Sequence, residues 1–153
     1  MTKSSKTLSF VASGSAMYTR KVSVSKDPDF LKVVDKLRDA DVSFMNFEGQ
    51  IGHPDAYAIK PYSFASYFFG EKWIAKEYAW TGFNLTSLAN NHMNDWSHHA
   101  IEESMKQLDE AGIVYAGAGM NLTAAREPGY LDTKNGRVAL ISIDSSHEQG
   151  EFV

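Results

Sequence analysis

Residues 7–47 constrain this chain most. Residues 7–13 (TLSFVAS) are apolar and partly β-branched and stop at Gly14, as a core strand does when it runs into a tight loop. Asp27-Pro28 then supplies a helix N-cap with proline at the first helical position. Phe30, Leu31, Val33, Val34 and Leu37 recur along one face, which predicts a helix over 28–39. Val42 to Phe47 alternates and ends through Glu48 at Gly49, which predicts a second strand with Glu48 at its tip. A strand, a helix and a strand of these lengths close as a right-handed βαβ unit on a parallel sheet. The fold class is therefore α/β.

The rest of the chain continues the alternation. Residues 72–80 suit a helix stopped by Gly82, residues 83–89 a third, buried strand, and residues 97–110 a helix with Ile101, Met105 and Leu108 on one face and Gly112 just beyond it. Residues 113–117 suit a fourth short strand, residues 122–126 a short helix, and residues 130–132 and 137–143 a hairpin turned by Lys134-Asn135-Gly136. Residues 50–71 differ. Gly52, Pro54, Pro61 and Gly70 break any long element, while Tyr57, Tyr62, Phe64, Tyr67, Phe68 and Phe69 load the stretch with rings. It reads as a loop packed on the sheet edge by its own side chains, or as an aromatic substrate wall.

Composition narrows the chemistry. At 153 residues one core can form, burying roughly 70% of the unfolded surface. With no cysteine there is no disulfide and no thiolate metal site. Any metal falls to His, Asp, Glu, Asn or backbone oxygen. A net charge of −4 argues against a nucleic-acid partner, because phosphate neutralisation needs a concentrated basic face. No window approaches a membrane span and no signal-like apolar stretch opens the chain, so the expected location is the cytoplasm.

Three strand ends in succession carry polar groups: Gly14-Ser15, then Asn46 and Glu48, then Asn90-Asn91-His92 with Asp95. In a parallel sheet such ends lie along one edge, so residues far apart in sequence converge. Carboxylate oxygen, amide oxygen and imidazole nitrogen together suit a borderline divalent ion such as Mn²⁺, Zn²⁺ or Fe²⁺. Blander roles fit the same residues singly. Glu48 suits a solvated strand end, Asn-Asn is common turn chemistry, His92 suits an ordinary loop and Asp95 an N-terminal helix acid. His98-His99 reads as solvated surface, and His53 and His147 as incidental.

The segments SFVASGSAM, DADVSFMNFEG, WTGFNLTSLANNHMNDW, LDEAGIVYAGAGMNLTAAREP and GRVALISI, in that order, resemble the CapA-type capsule and poly-γ-glutamate biosynthesis proteins, relatives of the calcineurin-like metallophosphoesterases. The resemblance covers residues 8–143 and makes the whole chain one CapA-like domain. It implies a metallophosphatase-like α/β/β/α sandwich, here its N-terminal part: βαβ units plus a hairpin. It further implies that Glu48 and Asn91 are metal ligands, that His92 hydrogen-bonds or protonates a phosphoryl oxygen, and that Asp95 is the acid that follows. The implied partners are a phosphoester small molecule or an anionic polymer. An accessory module that binds such a polymer without turnover is the alternative.

Two departures from the family pattern count against activity and imply an impaired strand-end site. The family's first strand ordinarily ends in Gly-Asp, whereas this chain has Gly14-Ser15, a neutral hydroxyl in place of a charged ligand. Family members usually run to more than twice this length, and on that pattern the chain reads as truncated at Val153. Half of a two-sheet sandwich would leave an apolar sheet face and an open strand edge, an invitation to self-association.

Overall fold

The computed structural model describes residues 7–58 and 68–145. In chain order they form β1 (Phe10–Ser15), α1 (Pro28–Asp39), β2 (Val42–Asn46), β3 (Gln50–Ile51), β4 (Phe69–Gly70) and α2 (Trp73–Thr81). Then follow β5 (Leu85–Ser87), α3 (His98–Ala111), β6 (Val114–Ala116), α4 (Leu122–Ala125), β7 (Gly129–Thr133) and β8 (Gly136–Leu140). The expected βαβ alternation and the closing hairpin are both present.

Local chemistry sets the helix ends. The Asp27 carboxylate accepts from the amides of Asp29 and Phe30 at 2.8 and 3.2 Å, and Pro28 follows at the first helical position, so α1 begins where its free amides find an acceptor. Helices α2 and α3 end at Gly82 and Gly112, both left-handed.

Strands β1, β2, β5 and β6 form one parallel sheet in the order β1-β2-β5-β6. Met45 and Phe47 turn to the face covered by the helices, where they pack with Leu37, Ile74, Tyr78, Leu88, Ile101 and Leu108. Phe47 and Tyr78 are wholly buried with ring centroids 5.6 Å apart, so this layer excludes water behind the strand ends. The opposite face is more open. Phe10 stacks on Phe44 there and remains 53% exposed. Among the described residues β1 is an edge strand of this sheet.

The β7–β8 hairpin is antiparallel, and side-chain hydrogen bonds tie it and the residues after it to the sheet. The Asn135 amide donates to both carboxylate oxygens of Asp41 at 2.9 and 3.0 Å, and the hydroxyls of Ser142 and Ser87 are hydrogen-bonded. The result is an α/β domain with a parallel sheet and flanking helices, in keeping with part of the metallophosphatase-like sandwich. Among the described residues no helix is long and apolar enough to cross a membrane.

One pairing departs from the sequence reading. Residues 50–51 and 69–70, expected as loop, pair as the short parallel strands β3 and β4. Two-residue strands carry no periodicity to detect. Tyr62, Phe64 and Tyr67 of the aromatic stretch lie outside the described residues, as does His147.

Candidate functional site

The site is built where β1, β2 and β5 end. Because the three strands are adjacent and parallel, Ser15, Asn46 and the segment leaving Ser87 emerge side by side. The ladder continues past the strands, with the Ala16 amide donating to the Asn46 carbonyl at 2.9 Å and the Phe47 amide to the Ser87 carbonyl at 3.1 Å. Glu48 follows at once, and Gly49 turns the chain at φ +132°, where a β-carbon would strike the Phe68 ring. Only glycine permits that close turn directly behind the Glu48 carboxylate.

The loop after β5 carries His92 and Asp95. The imidazole Nδ1 lies 2.7 Å from Asp95 Oδ2, and Nε2 lies 3.5 Å from Glu48 Oε1. Asp95 is nearly buried, its side chain 5% exposed, against 21% for His92 and 24% for Glu48. The ring is thus held from behind by a buried acid and faces a partly exposed one. An acceptor at Nδ1 fixes that nitrogen as the N–H, so Nε2 is the nitrogen presented outward.

Amides brace this arrangement. Asn46 Nδ2 donates to Ser15 Oγ at 3.2 Å, and Asn90 Nδ2 donates to the Phe47 carbonyl at 2.9 Å and to Asn46 Oδ1 at 3.3 Å. At the far end of the loop the Trp96 amide donates to Gln50 Oε1 at 2.7 Å, and the Trp96 ring lies 4.2 Å from Phe69. Gln50 is fully buried, and among the described residues its Nε2 has no hydrogen-bond partner.

Of the expected site residues, Glu48, His92 and Asp95 come together, with Ser15 and Asn46 alongside. Asn91 is exposed and stands outside the chain of contacts. Asn90 was expected only as part of the third polar strand end, with no role of its own, and Gln50 was not expected as a site residue. Their signal in sequence was only that each is an amide beside a candidate, at Asn91 and at Glu48-Gly49.

A metal at this edge has few donors. Among the described residues no group of three or more His, Asp or Glu side chains is placed to hold one. Of the two residues expected as ligands, Glu48 faces His92 Nε2 and Asn91 is exposed, and Ser15 adds no charge.

The sequence matches the bacterial capsule synthesis protein PGA_cap family over residues 9–152. The chain belongs to that family. The PGA_cap match spans every candidate from Ser15 to Asp95. Two relatives from Sinorhizobium fredii (strain NBRC 101917 / NGR234), the uncharacterized proteins y4sH and y4uA, are each 34% identical over 138 residues, 89% of this chain. The chain spans only 30% of the length of each. The capsule biosynthesis protein CapA of Bacillus anthracis is 32% identical over 69 residues, 45% of this chain and 17% of its own length.

Proposed function

We propose that this chain is the part of a poly-γ-glutamate or similar capsule synthesis protein that handles a phosphoester or an anionic polymer at its strand-end site, with His92 as general acid or base. The observation that carries the reading is the 2.7 Å contact from His92 Nδ1 to Asp95, which leaves Nε2 directed outward beside Glu48. Asp95 holds the ring in one tautomer and orientation. Nε2 then gives a proton to a leaving oxygen or takes one from an attacking hydroxyl. Glu48 and Asn91 are the residues that would hold a divalent cation such as Mn²⁺, Zn²⁺ or Fe²⁺. When bound, such an ion supplies water activation and charge neutralisation at phosphorus.

The test is metal analysis and phosphomonoester hydrolysis on the purified chain, its Ser15→Asp variant and its His92→Ala variant. Retained Mn²⁺ or Zn²⁺ that rises with Ser15→Asp, and hydrolysis lost with His92→Ala, support the reading. No bound metal in either form would sink the metal assignment. Hydrolysis unchanged in His92→Ala would sink the proton-transfer role.

A second reading is favoured by the amide-rich, carboxylate-poor β1 side of the site, where Ser15 hydrogen-bonds to Asn46 instead of presenting a charge. In it the chain binds the anionic polymer without turnover. Polymer binding that survives both chelator and His92→Ala would select it.

A further inference from the structure

We infer that Asn90 is the positioning residue for His92, acting through a hydrogen-bond chain whose polarity runs in one direction. The inference takes from the proposed function only that His92 is the residue whose placement matters.

Asn90 uses both ends of its side chain. Its Nδ2 donates to the Phe47 carbonyl at 2.9 Å and to Asn46 Oδ1 at 3.3 Å, and its Oδ1 accepts the His92 amide at 3.0 Å. The same residue therefore grips the end of β2 and the backbone of the histidine. The loop is closed further by the Met93 amide on the Asn90 carbonyl and the Asp95 amide on the His92 carbonyl, each at 3.2 Å. The last of these presents the Asp95 carboxylate to Nδ1. Glu48 lies one residue beyond the Phe47 carbonyl that Asn90 holds. The distance from Nε2 to Glu48 is thus fixed through Asn90 on one side and Phe47 on the other.

The polarity follows from donor counting. Asn90 Nδ2 faces two acceptors, the Phe47 carbonyl and Asn46 Oδ1, and must be an N–H group. Asn46 is different. Its Nδ2 donates to Ser15 Oγ, but a hydroxyl also donates, so Asn46→Asp keeps the chain with Ser15 as donor. Asn90→Asp keeps the acceptor for His92 and sets carboxylate oxygen against carbonyl oxygen, so the grip on β2 is lost. Two substitutions of one kind, 44 residues apart, have opposite consequences.

The experiment is nitrogen-resolved NMR of the His92 ring in the full chain and in Asn90→Ala, Asn90→Asp and Asn46→Asp, with the amide pattern of β2 and β5 reporting the fold. The expected result is a protonated, slowly exchanging Nδ1 in the parent and in Asn46→Asp, lost in Asn90→Ala and Asn90→Asp while the fold persists. In a phosphomonoester assay the two Asn90 variants should lose about 10²-fold in kcat, the low end of a proton-transfer contribution, with KM little changed. A parent-like His92 ring in folded Asn90→Asp, or loss of the signal in Asn46→Asp as well, overturns the inference. So does unfolding of both Asn90 variants, since Asn90 would then hold the fold and not the ring. A parent without phosphoesterase activity would count against the proposed function and leave the ring measurement intact.

Discussion

Glu77 is a buried acid, 7% exposed, in the middle of α2, and it holds down the segment that follows the site's first strand. Its Oε2 accepts the amides of Val22 and Ser23 at 2.8 and 2.7 Å, and its Oε1 accepts the Ser23 hydroxyl at 2.8 Å. Nearby, Tyr18 lies 4.7 Å from the Tyr78 ring and its hydroxyl is 3.0 Å from that of Thr81. One face of α2 thereby fixes the path from Ser15 to α1. Glu77→Gln keeps the length and one carbonyl oxygen but removes the charge. A hydrogen bond to a charged group is worth about 1.5–3 kcal/mol and a neutral one about 1 kcal/mol, so weakening two backbone bonds costs roughly 2 kcal/mol.

Glu77→Ala removes every acceptor and leaves two partly buried amides unsatisfied, which costs roughly 4 kcal/mol. At about 2–4 °C per kcal/mol for a domain of this size, Tm should fall by about 4–8 °C for Gln and about 8–16 °C for Ala. Urea unfolding followed by tryptophan fluorescence, with thermal melts by circular dichroism, measures both. An alanine variant within about 1 kcal/mol of the parent would refute the claim that this carboxylate anchors the segment. A glutamine variant as stable as the parent would refute the part assigned to charge, and equal losses for Gln and Ala would refute the part left to the neutral acceptor.

Asp41 is held well below the usual carboxylate range, at about 2, by the Ser9 amide and then by the Asn135 amide and the Ser9 hydroxyl. Its folded pKa is depressed, so its contribution is present above the ordinary value of 3.8 and is lost as pH falls toward 2. Asp41→Asn should flatten the fall in urea midpoint between pH 4 and pH 2, and an unchanged slope would exclude this role. Burial pushes the Tyr78 phenol well up, and its hydroxyl donates to the Ala16 carbonyl at 2.7 Å. Tyr78→Phe should cost about 1–3 kcal/mol in urea unfolding with the fold retained, and no measurable loss would mean that water replaces the bond. The β1 edge beside the exposed Phe10 should make the chain associate with a second copy. Sedimentation velocity should then depend on concentration and lose that dependence in Phe10→Lys; a constant coefficient in the parent would dismiss the edge as an interface.

Legibility in the sequence followed the range of the interaction that decides each feature. Helix α1 was readable to the residue, because Asp27-Pro28 and the apolar stripe are local and agree. The convergence of Ser15, Glu48 and His92 was readable from topology, since the ends of neighbouring parallel strands have nowhere else to go. The third strand was expected over 83–89 and spans Leu85–Ser87, because Phe83 and Leu88 are buried like strand residues without belonging to the strand. The roles within Asn90-Asn91 were not readable. Both are asparagines, and which amide turns inward is set by the bond from Asn90 Oδ1 to the His92 amide, a feature of the folded turn.

Ser15 shows how the fold separates charge from shape at this site. The Ser15 hydroxyl accepts from Asn46 Nδ2, and a carboxylate at that position would accept the same hydrogen bond more strongly. Ser15→Asp therefore leaves the chain from Ser15 through Asn46 to Asn90 in its present polarity and adds only a negative charge at the strand ends that also carry Glu48. Without a cation, two carboxylates at one strand edge repel, and the substitution lowers stability. With a cation between them the repulsion becomes ligation, and stability rises with metal concentration by mass action. The sign of the metal-dependent Tm change in Ser15→Asp, compared with the parent, thus reads whether these strand ends are arranged around an ion. A variant destabilised equally with and without Mn²⁺ or Zn²⁺ would show that they are not.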